Sequence, residues 1–113
     1  MIVIYHNPRC TKSREGLEKL KNLGKEFKIR EYLNDPLSED ELTGLLKKLQ
    51  FSPLQLIRQN EKVWKDDFKS LNLSNRELIS IMAKHPKLIE RPIVENDNRA
   101  VIGRPSSNID KLL

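Results

Sequence analysis

The first thirty-two residues leave few folds open. Ile2-Val3-Ile4-Tyr5 is a short, β-rich apolar run, and Leu17, Leu20 and Leu23 then recur at three-residue steps ahead of Gly24. That spacing predicts a helix over 13–23 with a glycine stop. Phe27 and Ile29, with Tyr32 at the margin, alternate with charged residues and predict a second strand. A strand–helix–strand opening favours parallel pairing and an α/β class.

The middle of the chain changes character. Asn34-Asp35-Pro36 is a turn, and Ser38-Glu39-Asp40-Glu41 has the spacing of a capping box, followed by the apolar stripe Leu42, Leu45, Leu46, Leu49. Ser52-Pro53 starts a short helix with Leu54 and Ile57 inward. Ser74-Asn75-Arg76-Glu77 repeats the box before Leu78, Ile81 and Met82. Trp64 and Phe68, four apart, are expected to seal these helices onto the core. Residues 38–85 therefore read as a helical insert without a strand. Strands return at Ile93-Val94-Glu95 and Ala100-Val101-Ile102, which flank the hairpin signature Asn96-Asp97-Asn98. Pro105 opens a final helix bearing Ile109, Leu112 and Leu113. With 113 residues, the expectation is one domain over 1–113 that carries this insert.

Composition narrows the function classes. No long apolar run exists, so no membrane span is expected, and Met1–Tyr5 is too short for a secretory signal. The net charge of +5 raises the question of nucleic acid. The lysines, however, are dispersed along helices (Lys19, Lys21, Lys47, Lys48) and interleaved with glutamates. Aromatic residues make up only 5%, which is thin for base stacking. Nucleic acid is not expected as a partner.

Cys10 is the only cysteine, which excludes an internal disulfide framework and suits a reducing cytoplasm. It follows the turn His6-Asn7-Pro8-Arg9 and precedes a helix start, where unpaired amides favour an anion. Arg9, Lys12 and Arg14 add positive charge, and His6 is a nearby donor. Such surroundings lower a thiol's pKa and make it a nucleophile. The competing reading is a buried, inert cysteine, but an inert cysteine needs no basic, polar neighbours. Arg58, Arg91 and Arg104 each fall at a junction between elements, and a guanidinium suits tetrahedral oxyanions through paired, charge-assisted hydrogen bonds. Each could instead pair with a local Asp or Glu. Glu90-Arg91-Pro92 also invites a cis-proline. No metal site is expected.

Four separated segments together resemble the glutaredoxin-dependent arsenate reductase family: 6–14 (HNPRCTKSR), 56–60 (LIRQN), 85–94 (HPKLIERPIV) and 102–106 (IGRPS). The resemblance implies a thioredoxin-like α/β fold with an inserted helical subdomain. It implies that Cys10 attacks arsenate or a similar oxyanion, that Arg58, Arg91, Arg104 and Ser13 hold it, and that His6 helps to activate the thiol. No bound cofactor is implied; glutathione is the external reductant and glutaredoxin regenerates the thiol. Thr11-Lys12 departs from the Gly-Thr of the best-studied members, and the chain is closer to a sister branch with a Cys-Ser-Lys-Ser-Arg pattern. Two other functions stay open on this fold. One is an Spx-type regulator that binds RNA polymerase, although Ser13 stands where many of those carry the second cysteine of their switch. The other is a glutathione-linked thiol protein without arsenate turnover.

Overall fold

The computed structural model describes residues 1–113. The chain divides into two compact units, one made of Met1–Asp35 with Arg91–Leu113 and the other of Pro36–Glu90. The second unit is thus a continuous stretch that interrupts the first in sequence.

The first unit is built on a four-stranded sheet of order β2-β1-β3-β4, from β1 (Ile2–Tyr5), β2 (Phe27–Arg30), β3 (Ile93–Glu95) and β4 (Ala100–Ile102). β1 pairs in parallel with β2, and Ile2 stands opposite Phe27. The connection between them is helix α1 (Thr11–Asn22), the crossover that parallel strands require. β1 pairs antiparallel with β3, and β3 antiparallel with β4. Ile4, Val94, Leu20, Ile109 and Leu112 form the buried core, with Ile2, Leu17, Phe27 and Val101 packed around it. Alternate residues of the strands therefore meet one face of α1 and of the C-terminal helix. Gly24 takes a φ of +68° just beyond α1, a conformation that disfavours any side chain. Leu23, counted in the apolar stripe, is exposed, as is Ile29 on the edge strand. Tyr32 is buried but lies beyond β2.

The expected last helix is a 3₁₀ helix, Ser106–Leu112, with Ile109 and Leu112 buried and Leu113 exposed. Leu113 is not a core residue, because the tighter three-residue turn puts Ile109 and Leu112 on one line. Both Arg91–Pro92 and Arg104–Pro105 are cis; the second carried no expectation.

The second unit holds α2 (Glu39–Leu49), α3 (Pro53–Leu56) and α4 (Asn75–Lys84), with α4 packed on α2 and α3. In the first capping box the Ser38 hydroxyl accepts from the Glu41 amide at 3.1 Å and Glu41 accepts from the Ser38 amide at 3.0 Å. Ser74 and Glu77 repeat this at 3.2 and 3.0 Å, and the Ser74 backbone and hydroxyl hold the Glu77 carboxyl below its usual range. Trp64–Phe68 is a single π-helical turn, with Trp64 buried, Phe68 half-buried and their ring centroids 6.3 Å apart. No strand lies in this stretch; one isolated antiparallel bridge joins Ile57 with Ile89, where the Arg58 amide donates to Leu88 at 2.7 Å and the Glu90 amide to Leu56 at 2.9 Å.

Candidate active site

The residues flagged around Cys10 meet where β1 runs into α1. Cys10 is the residue that caps α1, in extended conformation (φ −95°, ψ 122°), so α1 begins two residues earlier than the apolar spacing predicts. Leucine periodicity cannot see a first turn built from Thr11 and Lys12. The Cys10 amide donates to the Asn7 carbonyl at 3.0 Å, and the Cys10 carbonyl accepts the Arg14 amide at 3.0 Å. Cys10 is thus held on both sides by backbone bonds.

Asn7, Ser13 and Arg14 brace the turn further. The Asn7 side-chain oxygen accepts from the Arg9 amide at 3.0 Å, an Asx turn. The fully buried Ser13 hydroxyl accepts from the Asn7 amide at 3.0 Å and lies 2.7 Å from Nδ1 of buried His6. The Arg14 guanidinium reaches back to donate to the Pro8 carbonyl at 3.0 Å and to the Thr11 hydroxyl at 3.2 Å. Of these braces Ser13 and His6 are among the residues expected at the site, whereas the bracing roles of Asn7 and Arg14 appear only in the structure. The Asn-Pro-Arg-Cys order was a legible signal for the Asx turn.

The Cys10 thiol is half-buried. Burial pushes its pKa up, but the Ser13 amide, the Arg91 guanidinium beside it and the Lys12 amide together hold it below the usual thiol range. Neither amide closes a full hydrogen bond to the sulfur as a cap would, so they act as dipoles aimed at it. His6 lies lower than usual: burial dominates, Glu31 opposes it, and Arg14 and Lys21 add to the depression. The lowered pKa favours the uncharged imidazole, and its Nδ1 and the Ser13 hydroxyl share one hydrogen bond.

The three arginines fare differently. Arg91, two residues before β3, stands by Cys10, and its Nε and Nη1 are buried without a hydrogen-bond partner. Leaving two charged donors unmet costs about 1–3 kcal/mol apiece, which is tolerable where a ligand is to supply the acceptors. Pro92 sets this arginine. A Cβ added to Gly16 of α1 would fall 2.8 Å from its ring and one added to Gly103 would fall 3.1 Å away, so the proline occupies a slot only glycines leave open. The Gly103 amide also donates to the Pro92 carbonyl at 2.8 Å. Arg104 is exposed just beyond β4, and its guanidinium makes no ion pair. Arg58 belongs to the second unit, where Nη1 pairs with Glu61 at 2.6 Å and Nε lies 3.8 Å from Glu90. No group of three His, Cys, Asp or Glu side chains gathers to hold a metal ion, and no helix is long and apolar enough to cross a membrane.

Known proteins resemble this chain end to end. The arsenate reductase of Haemophilus influenzae is 40% identical over 99% of this chain and 98% of its own. The Escherichia coli protein YfgD, which is uncharacterized, is 44% identical over 96% of this chain and 92% of its own. The solved structure of an arsenate reductase from Vibrio cholerae superposes with a TM-score of 0.94 at 39% identity, covering 99% of this chain and 97% of that one. The mixed sheet with its helices is accordingly the thioredoxin-like α/β fold. The model of the ArsC family matches residues 5–112, from the end of β1 to the C-terminal 3₁₀ helix, and the chain belongs to the ArsC family.

Proposed function

We propose that this chain reduces arsenate to arsenite, with Cys10 as nucleophile and with glutathione and glutaredoxin as external thiols. The observation that carries the reading is the pair of buried, partnerless donors on Arg91 beside a thiol held below its ordinary pKa. A thiolate and an unmet guanidinium at a helix N-terminus form a receptor for an oxyanion that is to be attacked.

The chemistry balances with one protein thiol. The Cys10 thiolate attacks arsenic, a hydroxyl leaves as water after protonation, and a sulfur–arsenic bond forms. A glutathione thiolate then attacks the Cys10 sulfur. The sulfur–arsenic bond breaks, its electron pair stays on arsenic, and arsenite departs, leaving a mixed disulfide. A second thiol, from glutaredoxin, attacks that disulfide and frees Cys10. Two thiols are oxidised for each arsenate reduced and one water is released. The reductant is external because the chain has no second cysteine, and a nucleophile that must stay reduced suits the cytoplasm.

Arg91 stabilises the charge on the oxyanion, and Arg104, exposed and free of ion pairs, supplies further positive charge. Ser13 contributes its amide, since its hydroxyl is engaged with Asn7 and His6. His6 acts through Ser13, whose hydroxyl it shares with the Asn7 amide, and so fixes the turn. The reading needs no step from Arg58, whose charge Glu61 and Glu90 already meet.

The test is arsenate reduction by the purified protein with glutathione and glutaredoxin. Turnover is expected, together with its loss to background in Cys10→Ser. Turnover undiminished in that variant would overturn the proposal, and RNA polymerase binding without turnover would favour the regulator.

A further inference from the structure

A second thiol must reach Cys10 from solution, so the surface that receives its body must adjoin the Cys10 turn. A cavity of about 340 Å³ does so, lined by His6, Asn7, Pro8, Arg9, Glu31 and Asn34 together with Leu33. Four of these, His6 to Arg9, are the residues immediately before Cys10, and consecutive Cα atoms stand ~3.8 Å apart. A larger cavity of about 590 Å³ also touches Glu31 and Asn34, but the rest of its wall is β1, β2 and Asp35, away from the turn.

The wall of the smaller cavity carries one charge of each sign. Arg9 is exposed and makes no ion pair. Glu31 is exposed as well, and its carboxylate receives only the Asn34 amide, at 3.5 Å. A single oxyanion would be repelled by Glu31, and a simple cation by Arg9. A group bearing an ammonium and a carboxylate on one carbon satisfies both, with the Asn7 and Asn34 side chains at hand for its neutral polar atoms. We propose that this cavity binds the zwitterionic amino-acid head of the reducing thiol, with Glu31 taking the ammonium and Arg9 the carboxylate. In glutathione that head is the γ-glutamyl group. Seven bonds join its α-carbon to the sulfur, an extended reach of about 8 Å, enough to pass from this wall to a nucleophile one residue beyond Arg9.

The assignment rests on the reading that an external thiol resolves the Cys10 adduct, but its test needs no turnover. S-methylglutathione keeps the head and cannot react. Titrated into the ¹⁵N-labelled protein, it is expected to shift the amides of Asn7, Arg9, Leu33 and Asn34. Arg9→Gln and Glu31→Gln should each weaken this binding at least fivefold, with Lys111→Gln, on the C-terminal helix, unchanged. No binding at millimolar concentration, shifts confined to other residues, or equal affinity in the Arg9 and Glu31 variants would overturn the proposal. If the analogue binds here and arsenate is not reduced, the site stands and the activity reading falls. If arsenate is reduced by Cys10 and the analogue does not bind here, the reverse holds.

Discussion

Arg58 and Arg91 are both partly buried arginines at the ends of elements, and their surroundings could hardly differ more. Arg58 lies against two carboxylates, one at 2.6 Å and one at 3.8 Å. Arg91 has none, and two of its buried donors find nothing to bond. An arginine already neutralised by its own chain serves packing. One kept buried and unmet is maintained at a cost in stability, and oxyanion binding as proposed above would offset that cost. The contrast is between a guanidinium met by carboxylates and one whose donors are left open.

The sharpest way to break the contrast is to remove each charge with an apolar side chain of similar reach. Arg91→Leu is expected to reduce turnover on arsenate by about 10²–10³, the range for loss of one oxyanion donor. It should also raise the Cys10 pKa, read by the pH dependence of iodoacetamide alkylation. Yet it should leave the melting temperature unchanged or higher, because two unmet buried donors vanish. A marked loss of stability would show Arg91 to be structural after all.

Smaller effects sharpen the picture. Ser13→Ala strips the Asn7 amide and the His6 ring of their shared partner in a fully buried spot, and urea unfolding should show a loss of about 1–3 kcal/mol. An unchanged midpoint would mean the turn holds without that relay. Arg58→Leu should destabilise by about 1 kcal/mol or less, since its carboxylates remain partly exposed to water.

Acidification probes the relay from another side. The folded state holds His6 below its ordinary pKa of about 6.5. The unfolded chain then binds the extra proton, so stability should fall as pH drops from that value toward the folded one. His6→Gln should flatten this slope in unfolding curves taken between pH 7 and 5. A slope of the same size in the variant would assign the acid sensitivity to other groups.

What the sequence made legible follows the range of the interactions. Two capping boxes of the second unit, contacts over three residues, appear where Ser38-x-x-Glu41 and Ser74-x-x-Glu77 predict them, and a third joins Ser52 to Gln55 at the start of α3. The β1–α1–β2 crossover and the β3–β4 hairpin are nearly as local. The start of α1 was missed because hydrogen bonding around Cys10, not leucine spacing, decides it. The C-terminal element came out 3₁₀ because i, i+3 spacing of Ile109 and Leu112 fits either helix. At the site, basic residues around Cys10 were plain in the sequence. That Ser13 spends its hydroxyl on Asn7 and His6, or that Pro92 fits between Gly16 and Gly103, depends on packing across tens of residues and no spacing rule announces it.

One consequence of the Cys10 turn concerns what does not titrate. An imidazolium that sustained the sulfur's negative charge would switch off a little above neutrality. Peptide dipoles and a guanidinium keep their polarity through the whole range in which proteins stay folded. The groups that hold the Cys10 sulfur's negative charge therefore impose no alkaline ceiling of their own on the thiolate.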